Sequence, residues 1–124
     1  MLSGLFCRRD GGFDGNYLLD DERSEWITRH EALKDFTTGI VFSQVDLICN
    51  STPVENIVPH LEQLAADPLR AEIMDLMTHE QYFWPHYPAH LPDHVRRLET
   101  ALRWVTNHGY EPVFFHEGLL GGIP

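Results

Sequence analysis

Basic residues are scarce in this sequence. Nine Lys and Arg stand against nineteen Asp and Glu in 124 residues, so the formal net charge is −10 with histidine neutral. A surface this acidic repels phosphate groups, which argues against nucleic acid and against anionic membrane surfaces as partners. Long apolar runs are missing too, since none approaches the roughly 18 residues that a membrane-spanning helix needs.

Cysteine is also rare. Cys7 and Cys49 are too few for a disulfide framework or a zinc knuckle, so we expect two reduced thiols. The first residues do not follow the pattern of a secretory signal, because Arg8 and Arg9 come after a very short apolar stretch instead of before a longer one. These features predict a soluble, cytoplasmic protein.

The length limits the architecture. A complete (β/α)₈ barrel needs roughly 250 residues, about twice what is present here. Hydrophobic residues make up 43% of the chain and charged residues 23%, which is ordinary for a globular protein. We therefore expect a single domain over residues 1–124, with an irregular segment and a helix in residues 1–35.

Helical and extended patterns alternate along the chain. The clearest signal begins at Thr52, a predicted helix cap that is followed by Pro53 and by Glu55 three residues after the cap. The apolar periodicity predicts three helices, over residues 21–35, 53–66 and 93–107, and Gly109 is expected to end the last one. Strands are predicted over residues 40–49, 71–79 and 111–115, although residues 71–79 would also suit a helix. This alternation predicts an α/β fold with a parallel sheet.

Polar side chains follow each predicted strand. They form three pairs: Asp46 with Asn50, His79 with Glu80, and His116 with Glu117. Because the carboxyl ends of parallel strands share one edge of a sheet, these groups are expected to lie together. Such a site could perform acid–base catalysis or hold a divalent metal such as zinc. Each residue also has a structural alternative: Asp46, for example, lies in an apolar run and needs a buried partner.

The segment from Glu80 to Leu91 is unusually aromatic for a loop. Tyr82 and Trp84 could stack on sugar rings, or the loop could close over the sheet as a lid. Histidine recurs around it, in a set that could form a small metal site although its spacing fits no zinc signature. The histidines are His79, His86, His90 and His94.

Three stretches resemble polysaccharide deacetylase-like proteins of the divergent branch associated with surface-polysaccharide biosynthesis. They are residues 35–47 (DFTTGIVFSQVDL), 76–83 (LMTHEQYF) and 104–115 (WVTNHGYEPVFF). The resemblance covers roughly residues 35–121 and corresponds to the carboxyl-terminal half of such a protein.

The resemblance implies an incomplete (β/α) barrel that hydrolyses acetyl groups on sugars with the help of a metal. His79 occupies the position of the family's general acid, with Asp46 or Glu80 orienting a histidine or binding sugar hydroxyls. Asn50, Tyr82, Trp84, His116 and Glu117 are the expected sugar contacts. The family's metal motifs have no match in this sequence, so the resemblance assigns no metal ligand.

Two other classes of function stay open at this stage. One is a non-enzymatic interaction or carbohydrate-binding module, since the open sheet edges of an incomplete barrel invite a second copy or a missing amino-terminal half. The other is a small histidine-rich metal-binding protein.

Overall fold

The described residues divide into two compact units, the first made of residues 2–4, 19–45 and 112–114 and the second of residues 46–111. A computed structural model of the chain describes residues 2–4 and 19–114. The predicted irregular segment lies largely outside the described residues, as do His116 and Glu117. The expectation of a single domain stays a prediction.

The first unit contains a helix and a mixed three-stranded sheet. Its elements are β1 (Leu2–Gly4), α1 (Asp21–Ile27), β2 (Ala32–Lys34) and β3 (Val41–Gln44). The strand order is β1-β3-β2, with β1 parallel and β2 antiparallel to β3. Buried Leu19, Ile27 and Phe42 form its apolar core.

The predicted helix over residues 21–35 ends early, at Ile27. Residues 32–34 instead pair with β3, and a tight turn joins the two strands. Asp35 shapes this turn by accepting hydrogen bonds from the Thr37 amide and the Thr38 hydroxyl, and Gly39 takes a φ of 75° that favours glycine. Strand pairing and turn chemistry therefore override the local helical periodicity.

The second unit consists of two helices and a short parallel strand pair. Its elements are β4 (Leu47–Ile48), α2 (Val54–Ala66), β5 (Leu76–Met77) and α3 (His94–Asn107). The register of β4 and β5 pairs Leu47 with Leu76 and Ile48 with Met77. The apolar faces of both helices meet the strands in one core. Its buried members are Leu47, Cys49, Ile57, Leu61, Ala101 and Trp104.

The α/β class with a parallel sheet is confirmed, but among the described residues the parallel pairing is limited to β4 with β5 and β1 with β3. The predicted strand over residues 40–49 is two strands that belong to different sheets, interrupted at Val45 and Asp46. The strand predicted over residues 71–79 is only two residues long, and residues 111–114 form no strand. In the part of the chain that the structure describes, the sheets have three and two strands and form no closed barrel.

The two long helices match their predicted positions closely. Gly109 adopts a φ of 83° directly after α3, as expected for a glycine that ends a helix. Thr52 does not cap α2, however, because its hydroxyl donates to the Ile48 carbonyl, 2.9 Å away. Within residues 19–114, no helix combines the length and apolarity needed to cross a lipid bilayer.

The core of the second unit generates a stability prediction. Leu61→Ala removes a fully buried side chain and leaves a cavity, so we expect the free energy of unfolding to fall by about 2–5 kcal/mol. Leu69→Ala, at a half-exposed position, is the matched control and is expected to change it by about 0.5 kcal/mol or less. Urea unfolding measures both, and equal effects would contradict the core assignment.

Candidate functional site at the end of the β4–β5 pair

Asp46 connects three segments of the second unit. Its carboxylate accepts hydrogen bonds from the Arg70 guanidinium and from the Asp75 backbone amide, the latter at 2.7 Å. Its own amide donates to the Asp75 carbonyl at 2.9 Å, and its carbonyl lies 2.6 Å from Nε2 of His60 on α2. Asp46 therefore fastens the start of β4 to the start of β5 and to α2.

The ion pair between Asp46 and Arg70 is buried. The side chains of Asp46 and Arg70 are only 4% and 9% exposed. Burial raises the pKa of Asp46 to about 6, against the opposing effects of the Asp75 amide and the Arg70 charge. At neutral pH the carboxylate is still ionised, so the pair consists of two opposite charges.

Asp46 does not lie where the sequence predicted. It precedes β4 and faces the start of β5, whereas His79 and Asn50 follow the ends of β5 and β4. The expectation that Asp46 shares an edge with His79 is therefore wrong. The reason is that β4 is short and begins at Leu47, so Asp46 precedes the strand and pairs with Arg70 there.

Asn50 and His79 do share an edge of the parallel pair. Asn50 lies in a single 3₁₀ turn, Cys49–Ser51, directly after β4, and Thr78 and His79 directly follow β5. The Asn50 carbonyl accepts a hydrogen bond of 3.2 Å from Nη1 of Arg97 on α3. Thr78, His79 and Glu80 are exposed, so this edge offers side chains to solvent.

The imidazole of His94 is buried behind this exposed edge. His94 is the first residue of α3 and is 1% exposed. Its Nε2 lies 2.8 Å from the Thr78 hydroxyl, and its ring centroid lies 4.3 Å from that of Phe83. Burial lowers the pKa of His94, while a hydrogen bond with the His79 backbone partly opposes the shift. The side chain is therefore neutral at pH 7.

The aromatic loop is folded upon itself. It begins with a 3₁₀ turn, Glu80–Phe83, and the rings of Tyr82 and Tyr87 meet edge to face at 5.5 Å. The Tyr82 carbonyl lies 3.0 Å from Nδ1 of His90 and accepts the Leu91 amide at 3.1 Å. Trp84, by contrast, is 57% exposed and leaves a large aromatic surface open to solvent.

The loop histidines do not form a metal centre with one another. Among residues 19–114, no three His, Cys, Asp or Glu side chains are arranged to hold a metal ion. His94 contacts Thr78, and His90 approaches a backbone carbonyl. The zinc ion that the family resemblance implies stays a prediction.

Sequence reasoning missed Arg70 and Thr78, and it treated His94 only as a possible loop ligand. Arg70 could have been found, because it is the one Lys or Arg between Lys34 and Arg96 and Asp46 required a buried partner. The pairing of Thr78 with His94 depends on where α3 docks, and no local pattern reveals that.

Comparison with known proteins identifies no relative: no protein family, no curated protein and no solved structure matches this chain.

The Asp46–Arg70 pair generates a second stability prediction. Asp46→Asn removes the carboxylate charge that faces the buried Arg70 guanidinium, so we expect the free energy of unfolding to fall by about 3–5 kcal/mol. Replacing both residues by apolar ones, Asp46→Leu with Arg70→Met, is expected to recover much of this loss.

The control is Glu25→Gln, which breaks an exposed ion pair with Arg29. It is expected to cost about 1 kcal/mol or less in urea unfolding. An Asp46→Asn variant as stable as this control would show that the buried pair does not hold the second unit together.

His94 gives a pH dependence with a defined sign. Because its pKa is lower in the folded chain than the ordinary 6.5, the unfolded chain binds more protons as the pH falls below that value. The His94 contribution to stability is therefore complete above pH 6.5 and declines below it. Between pH 7.5 and 5.5, the wild type is expected to lose more stability than His94→Gln. Parallel pH profiles of the two proteins in urea unfolding would contradict this assignment.

Proposed function

We propose that residues 46–111 bind an acetylated carbohydrate and act as the carboxyl-terminal part of a polysaccharide deacetylase-like hydrolase. The observation that carries the proposal is the exposed His79 at the carboxyl end of β5, beside Asn50 at the end of β4. Functional groups of parallel α/β folds gather at this edge.

His79 is proposed to protonate the leaving group when the acetyl group is cleaved. An exposed imidazole can deliver a proton to a bound substrate. Its ring centroid lies 6.4 Å from that of Tyr82, which leaves His79 beside an aromatic surface. Glu80 is exposed next to it and is proposed to bind sugar hydroxyls or to orient His79.

The sugar is proposed to bind to the same edge and to the aromatic loop. The half-buried Asn50 and Tyr82 have polar side chains that can bond to hydroxyl groups. The exposed indole of Trp84 offers a flat surface for the C–H face of a pyranose. His116 and Glu117 were predicted as further contacts but lie outside the described residues.

The deacetylases that this chain resembles use a divalent metal, and a divalent metal such as zinc stays a prediction for this chain. The role proposed for His79 is proton transfer, and that role needs no metal ligand. We also propose a cytoplasmic location, which the buried free thiol of Cys49 supports.

A carbohydrate-binding module without turnover is the second candidate. The exposed Trp84 favours it, because stacking on a sugar ring requires no catalytic group. In that case Trp84→Ala abolishes sugar binding, whereas His79→Gln preserves it. Pairing with a second copy or with a missing amino-terminal half stays a prediction of this candidate.

Acetate release from oligomers of N-acetylglucosamine tests the hydrolase proposal. We expect the wild type to release acetate and His79→Gln to do so on the order of 100-fold more slowly, because the leaving group then departs without its proton. His86→Gln, at an exposed histidine within the aromatic loop, is the matched control and is expected to retain the activity.

One result separates the two candidates, and another tests the role of His79. Sugar binding without acetate release from the wild type would contradict the hydrolase proposal and support the binding module. Equal acetate release by His79→Gln and His86→Gln would contradict the role of His79 while leaving the activity in place.

A further inference from the structure

We propose that Thr78 and His94 form a hydroxyl–imidazole pair that accepts acyl groups from small esters, with Thr78 as the nucleophile and His94 as its general base. This activity is separate from the role proposed for His79 and requires no sugar. Its basis is one contact, between an exposed hydroxyl-bearing residue and a buried imidazole.

The geometry of the contact fits proton transfer. The Thr78 Oγ1 and the His94 Nε2 are 2.8 Å apart, which is an ordinary hydrogen-bond length. When the hydroxyl donates to Nε2, the neutral imidazole carries its own proton on Nδ1. A nucleophile within hydrogen-bond reach of a base is the arrangement required for activating a hydroxyl group.

The surroundings of His94 favour the role of a base. Its imidazole lies against Phe83 and Tyr82, with centroid distances of 4.3 and 5.8 Å, and these rings keep it in one orientation. Burial lowers the pKa of His94, so the ring is neutral at pH 7 and one of its two nitrogens can accept a proton. Thr78 itself is exposed, so an ester can reach its oxygen from solvent.

The acceptor is different at three other threonine hydroxyls. Thr28, Thr52 and Thr100 donate to backbone carbonyls at 2.6–2.9 Å. A backbone carbonyl oxygen is too weak a base to take the proton from a hydroxyl group. Thr78 therefore differs from them in the acceptor of its proton, and Thr100 on α3 provides a half-buried control.

The reaction balances without any other reagent. The Thr78 oxygen attacks the carbonyl carbon of the ester, and its proton moves to Nε2 of His94. The carbon–oxygen bond of the ester then breaks, the departing alcohol takes that proton, and an acyl-threonine remains. Water subsequently cleaves the acyl–oxygen bond more slowly with the same base, which releases the carboxylic acid and regenerates the Thr78 hydroxyl.

Incubation of the full chain with p-nitrophenyl acetate tests the proposal. Competing amines are few, because Lys34 is the single lysine of the chain, so Lys34→Arg serves as the background protein. We expect a mass gain of one acetyl group that peptide mapping locates at Thr78, and p-nitrophenol release on the order of 100-fold faster than in Thr78→Val. Thr78→Ser is expected to restore acetylation, and Thr100→Val to leave it unchanged.

Absence of acetyl-Thr78 from the mapped peptides, or equal p-nitrophenol release by Thr78→Val, would overturn the proposal. His94→Gln is expected to abolish acetylation while leaving Thr78 in place. Should that variant fail to fold, as judged by its circular dichroism, the comparison of Thr78→Val with Thr78→Ser still decides the question. Neither result depends on acetate release from sugars, so this proposal and the deacetylase proposal can fail separately.

Discussion

The second unit depends on the contacts that the buried carboxylate of Asp46 makes. This carboxylate is bound by the Arg70 guanidinium and the Asp75 amide, and the backbone on either side of it bonds to Asp75 and His60. A two-residue parallel ladder has too few hydrogen bonds to fix its own register. The Asp46 network adds the missing constraint at the start of both strands.

This constraint also determines which residues reach the opposite edge. Leu47 of β4 pairs with Leu76 of β5, so the two strands end at the same edge. Three residues that follow these strand ends lie at that edge: Asn50, Thr78 and His79. The first turn of α3 then supplies His94 beneath Thr78. A buried charge pair at one edge thus allows exposed polar groups to be held at the other.

The charge pair illustrates a general balance in protein interiors. Burial disfavours the ionised carboxylate of Asp46 and raises its pKa, so the pair adds little net stability compared with apolar side chains of the same size. Removing one partner is costly nevertheless, because the other charge stays buried. The pair is better understood as fixing one arrangement of the strands than as a source of stability.

Periodicity in the sequence was sufficient for the two long helices, since α2 and α3 each bury an apolar stripe and Gly109 ends the second one. It failed at residues 40–49, where apolar composition predicted one strand. That stretch is interrupted at Asp46, whose side chain pairs with Arg70. Arg70 lies 24 residues away in the sequence, and local patterns carry no information about such a contact. The strand-end rule correctly grouped Asn50 with His79, but His94 becomes part of the site only through tertiary packing across 16 residues.

Amide chemical-shift mapping tests most directly whether the carboxyl edge of β4 and β5 is the working surface of this protein. An acetylated oligosaccharide would be titrated into the isotopically labelled full chain. We expect shifts concentrated at Asn50, Thr78, His79 and Trp84, with Leu69 and residues 19–45 unaffected. Shifts confined to residues 19–45, or none at any ligand concentration, would contradict this expectation.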